Sequence, residues 1–71
     1  MMTKMRSERL RRHWTLERVG SQIGITSAAV CDIERQRRNP SYRVLIELEN
    51  LFGLPHQLLL ELIDAEETPS A

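Results

Sequence analysis

Between Leu16 and Arg35 the chain reads LERVGSQIGITSAAVCDIER, two helix-length stretches with only Gly24, Ile25 and Thr26 between them. Such a short gap forces a tight corner, and the apolar positions on either side decide how it closes. Val19, Ile23, Ile25, Val30 and Ile33 meet on one side when two helices join at a steep angle. Gly24 supplies the left-handed backbone of a helix end without the penalty that a Cβ carries. Thr26 is a good cap for the helix that follows. Gly20 lies inside the first helix, where glycine costs about 1 kcal/mol relative to alanine, so a close crossing explains it better than accident. A plain helical hairpin in a bundle is the alternative. The three-residue turn, the capped second helix and the basic residues on both sides argue against it.

Similar punctuation divides the rest of the 71 residues. A first helix is expected over about 4–12 with Thr3 as N-cap, a second over 15–23 opening at Thr15, and a third over 27–35. A polar, basic loop from Gln36 to Pro40 leads to Ser41, which caps a fourth helix over 42–52. Its Val44, Leu45, Leu48, Leu51 and Phe52 recur at helical spacing, and Gly53 ends it. Pro55, with fixed φ and no amide donor, suits the first turn of a fifth helix over 55–64. No period-two stretch points to a strand. The expectation is an all-α, compact five-helix domain over 1–65, followed by a flexible polar tail over 66–71. A chain this short buries roughly 60% of its unfolded surface and has room for one core.

Ten Lys and Arg balance ten Asp and Glu, but the balance hides a division. All ten bases, nine of them arginine, lie at or before Arg43, where four acids leave +6; the remainder carries six acids and no Lys or Arg, hence −6. Arginine's flat fork suits phosphates and base edges, so a polyanionic partner for the first half is the natural inference, with a solvated basic face as the plainer reading. The single Cys31 excludes an internal disulfide framework, and no apolar run approaches the ~20 residues of a membrane span, so a cytoplasmic protein without membrane contact is expected.

The stretch GITSAAVCDIERQRRNPS, with Ile33-Glu34-Arg35 and the exit Arg38-Asn39-Pro40-Ser41, resembles the turn, recognition helix and following loop of the lambda-repressor-like (Cro and phage-repressor type) helix-turn-helix regulators. The resemblance covers about residues 4–63. It implies that the third helix enters the major groove of double-stranded DNA with its N-terminal residues towards the bases. Ser27, Ala28 and Asp32 then stand at base-reading positions. Ser27 can donate or accept, Ala28 can touch a thymine methyl, and Asp32 can accept from a cytosine amino group while repelling misplaced phosphates. None is a bidentate reader, so recognition is expected to lean on DNA shape or on Lys4 and Arg6. Helices two, three and four would offer amides beside caps Thr15, Thr26 and Ser41 to phosphates, joined by Arg35, Arg37, Arg38, Asn39 and Arg43 and by the Tyr42 hydroxyl. The resemblance further implies a largely buried pair between Arg9 and Glu34. Two positions depart from the family pattern: Leu16 stands where a Gln commonly reaches DNA, and Gln36 replaces the usual Gly after the recognition helix.

Leu58, Leu59, Leu60, Leu62 and Ile63 would cover more of a last helix than one small core can hide, which suggests a homodimer interface; a helix wholly absorbed by its own domain is the alternative. Two copies joined there would present recognition helices roughly 34 Å apart to a palindromic operator. A transcriptional repressor needing no cofactor is the leading expectation. The other is an antitoxin-like protein-interaction module that binds a protein partner through the C-terminal helix. Cys31, with no activating neighbour in sequence, reads as space-filling rather than as a redox sensor. His13 and His56 stand apart from any ligand set, so no metal site is expected, and Trp14 is expected to cover the core's edge. Nothing pairs a nucleophile with a base, so no enzyme is expected.

Overall fold

The computed structural model describes residues 1–64; Ala65 and the predicted tail over 66–71 lie outside the described residues. In chain order the elements are β1 (Met2–Thr3), α1 (Lys4–Arg11), α2 (Leu16–Ile23), α3 (Ser27–Glu34), α4 (Tyr42–Phe52), α5 (His56–Leu59) and β2 (Leu62–Ile63).

Each of the first four helices opens on a hydroxyl residue in extended backbone whose side chain accepts an amide of the first turn. Thr3 accepts from Arg6, Thr15 from Arg18, Thr26 from Ala29 and Ser41 from Val44. Helices α2 and α4 close on Gly24 and Gly53, both left-handed at φ 78° and 74°. At the α2–α3 corner the Ile25 amide donates to the Gly20 carbonyl at 2.9 Å. A Cβ on Gly20 would lie 2.5 Å from the Ile25 carbonyl oxygen, so glycine there is what lets the turn's backbone rest on α2.

Packing gathers one face of every helix. Met5, Val19, Ile23, Val30, Ile33, Val44, Leu48, Phe52 and Leu59 form the buried core, and Trp14, Leu16, Ile25, Leu51, Leu54 and Leu60 cover its edges.

The C-terminal segment differs from expectation. Helix α5 begins at His56 and stops at Leu59, not near residue 64; Leu59 turns fully into the core, and Leu60 and Glu61 close the turn through amides donated to His56 and Leu58. Leu62 and Ile63 then pair antiparallel with Thr3 and Met2, in the register Met2 with Ile63 and Thr3 with Leu62. The Lys4 amide adds a bond to the Glu61 carbonyl at 2.8 Å. A two-stranded clasp thus satisfies backbone groups at both ends of the described chain, where the sequence reading expected no strand.

Candidate nucleic-acid interface

Helix α3 divides cleanly between a buried and an outward face. Ala29, Val30, Ile33 and Glu34 are buried, while Ala28 and Arg35 are exposed and Ser27, Cys31 and Asp32 are half-buried beside them. The three predicted base-reading residues therefore share one face. Thr15, Thr26 and Ser41 use their hydroxyls within their own first turns, so what they present to an outside acceptor is the set of leading amides that a helix cannot satisfy itself.

Behind this face lies an ionic brace. Arg9 donates from Nε to Glu34 Oε2 at 2.6 Å and from a terminal nitrogen to Oε1 at 3.2 Å, and its other terminal nitrogen donates to the Trp14 carbonyl at 2.8 Å. The Arg9 and Glu34 side chains keep only 10% and 3% of their exposure. The buried Thr3 hydroxyl donates to the Glu34 carbonyl at 3.0 Å. The rear end of α3 is thus pinned from both ends of α1.

The loop beyond α3 carries Arg35, Gln36, Arg37, Arg38 and Asn39, all exposed. The Arg37 amide donates to the Asp32 carbonyl at 2.8 Å, folding the loop back over the helix end. Gln36 is left-handed at φ 60°, so it holds the glycine-type conformation despite its side chain, which donates to the Leu60 carbonyl at 2.7 Å. A groove of about 280 Å³ runs between loop, α3 and α4, floored by Ile25, Ala29, Ile33 and Val44 and rimmed by Arg38, Asn39, Ser41 and Arg43. Tyr42, between the rim residues Ser41 and Arg43 in sequence, is 76% exposed.

Not every predicted phosphate ligand is free. Arg38 lies 3.7 Å from the Asp32 carboxylate, joining a phosphate candidate to a base-reading candidate. Arg43 donates to the Ile23 carbonyl at 3.1 Å and so helps to terminate α2. Of the N-terminal bases, Lys4 pairs with Glu8 at 3.7 Å and Arg6 is partly buried. Leu16 packs against the core, consistent with its lack of polar atoms to offer DNA.

A second ionic cluster gathers on Glu8. Glu8 accepts from Arg11 at 2.6 Å and from Arg12, whose other terminal nitrogen donates to the Phe52 carbonyl at 3.1 Å. The Arg11 hydrogen bond, opposed by burial and reinforced by Arg12, holds the Glu8 carboxyl below its ordinary value of 4.5. The Arg12 guanidinium also lies over Trp14 and Phe52, 5.4 and 5.3 Å from the ring centroids. Part of the positive half is therefore structural. The signal was present in the spacing, since Lys4, Arg11 and Arg12 stand one helical turn from Glu8.

The five residues expected at a dimer interface are dispersed. Leu59 belongs to the core and is unavailable to a partner, Leu60 packs at the core's edge, and Ile63 is half-buried in the clasp. Leu58 and Leu62 remain 41% and 46% exposed. His56 closes on Glu49, with its amide and Nδ1 at 2.8 and 2.6 Å from Oε2. Among the described residues no group of His, Cys, Asp and Glu could hold a metal, and no helix is long and apolar enough to cross a membrane. Cys31 is a half-buried free thiol.

Searches of curated proteins and of solved structures found no match. Compared with known families, residues 5–59 match the helix-turn-helix family, a span of more than three-quarters of the chain that runs from the first core residue of α1 to the last of α5. A short capped helix, braced from behind and crossed closely by its predecessor at a glycine, is in keeping with that match, and the chain belongs to the lambda-repressor-like helix-turn-helix family of DNA-binding transcriptional regulators.

Proposed function

We propose that the chain is a cytoplasmic repressor that binds a palindromic operator as a homodimer and blocks transcription by occupying it. The observation that carries this reading is the outward face of α3, Ser27, Ala28 and Asp32, running directly into the exposed Arg35, Arg37 and Arg38. In the major groove the first three meet base edges, while Asn39, Tyr42, Arg43 and the first-turn amides beyond Thr15, Thr26 and Ser41 meet phosphates on either side. Asp32 must exchange Arg38 for a base on binding, and Arg38 is then released to a phosphate. Leu58 and Leu62 form the centre of the dimer contact, and the negative second half of the chain faces away from DNA.

Arg37→Ala with Arg38→Ala tests this without disturbing Arg43, which also holds the end of α2. Binding to random duplex should weaken, and the slope of log affinity against log salt should become shallower by about 1.8 for the two lost contacts. Unchanged affinity and slope in the folded variant would refute the reading. Selection from random duplexes should return an inverted repeat with half-sites roughly 34 Å apart. The same exposed leucines favour a second reading, a module that chiefly binds a protein partner through its C-terminal segment; a flat salt response of the parent protein would favour that instead.

A further inference from the structure

We infer that Gln36 is a positioning residue that ties the Arg37–Asn39 loop to the C-terminal segment, so that the grip on DNA depends on residues remote from it; this inference rests on the DNA-binding reading above. Gln36 sits at φ 60°, a backbone region costly to any residue with a Cβ, and such a residue persists only where its surroundings hold it. Part of the hold is backbone, the Gln36 and Arg37 amides closing on the Ile33 and Asp32 carbonyls, and part is the side chain. Its Nε2 donates to the Leu60 carbonyl at 2.7 Å, a group that the end of α5 leaves without a helical partner.

From Leu60 the chain of contacts returns to α3. The Glu61 carbonyl accepts from the Lys4 amide at 2.8 Å, Leu62 pairs with Thr3, and the Thr3 hydroxyl donates to the Glu34 carbonyl at 3.0 Å, two residues before Gln36. The ring closes on itself: end of α3, Gln36, end of α5, clasp, end of α3. Gln36 also sets the direction in which the arginines leave. Its own amide donates to Ile33 and the next one, from Arg37, to Asp32. Freed of Leu60, this corner keeps only those two backbone bonds, and Arg37, Arg38 and Asn39 are held less firmly in the orientation that serves the groove.

Two variants separate the tether from the turn. Gln36→Gly keeps the left-handed backbone at ease but has no side chain to reach Leu60; Gln36→Ala keeps the unfavourable backbone and also lacks the reach. Hydrogen exchange at the Lys4 amide reads the clasp, and duplex binding at fixed salt reads the grip. Loss of one hydrogen bond should speed Lys4 exchange and weaken duplex binding by roughly two- to tenfold in both variants. The salt slope should stay unchanged, because no phosphate contact is removed. If Gln36→Gly binds duplex as tightly as the parent, or leaves Lys4 exchange as it was, the inference fails and Gln36 is merely a strained turn residue. Should the parent itself show no duplex binding, the DNA reading falls, and Lys4 exchange still decides the tether.

Discussion

Consider Glu34→Ala. The lost carboxylate accepts two bonds from Arg9, at 2.6 and 3.2 Å, in surroundings that leave the Arg9 side chain 10% exposed. Removing it leaves the guanidinium with the Trp14 carbonyl at 2.8 Å as its remaining partner among the described residues, and with little water to replace what was lost. Breaking a buried pair from one side costs about 3–5 kcal/mol. The entire stability of a domain of 71 residues is about 4–10 kcal/mol, so the variant should forfeit between a third and all of it. Urea unfolding followed by Trp14 fluorescence measures the difference, and a thermal scan should show Tm falling by more than about 10 °C. A second variant, Arg9→Met with Glu34→Leu, removes both charges and restores apolar volume. It should recover most of the loss, because a buried pair replaced by well-packed hydrophobes is often neutral. A loss under about 1 kcal/mol for Glu34→Ala, or a double variant no more stable than the single one, would refute the claim that a stranded, desolvated charge dominates the energetics here.

Other expectations can be checked with the same unfolding assay. Gly20→Ala should destabilise by about 1–3 kcal/mol despite alanine's better helix propensity, because its Cβ meets the Ile25 carbonyl 2.5 Å away. Leu59→Ala should cost about 2–5 kcal/mol as a fully buried core truncation. By contrast, Leu58→Asp with Leu62→Asp, at two exposed positions, should spare the folded monomer and abolish the self-association proposed above, as read by sedimentation. Glu8 ionises more readily in the folded chain than its ordinary 4.5, so the stability it contributes is complete above that value and fades as pH falls through its lower folded value. Glu8→Gln should accordingly flatten the acid side of a plot of urea midpoint against pH.

What could be read in advance follows the range of the interaction concerned. Thr3, Thr15, Thr26 and Ser41 cap through amides three residues away, and Gly24 and Gly53 act at their own backbone, so these positions announce themselves in any short window. Gly20 was legible for a different reason, since a residue that weakens its own helix asks for a compensating contact. The clasp was not legible: a strand of two residues has no period, its partner lies at the other end of the described chain, and LLLELI reads as helix whether or not the backbone turns after Leu59. The charge division was correct as a total and misleading in detail. Counting arginines does not show that Arg12 turns inward to Glu8 and Phe52, that Arg43 faces the Ile23 carbonyl, or that Arg38 leans on Asp32. Gln36 stood out as a departure from the family pattern, but its destination at Leu60 is set by the folded chain alone.

The clasp has a practical consequence. With Met2 and Thr3 lying against Ile63 and Leu62, a fluorophore or fused protein added ahead of Met1 and one added after Asp64 would emerge at the same corner and jostle each other there. That proximity also makes the domain a natural candidate for circular permutation, in which a linker bridges the clasp and new ends are opened at the exposed Gly53.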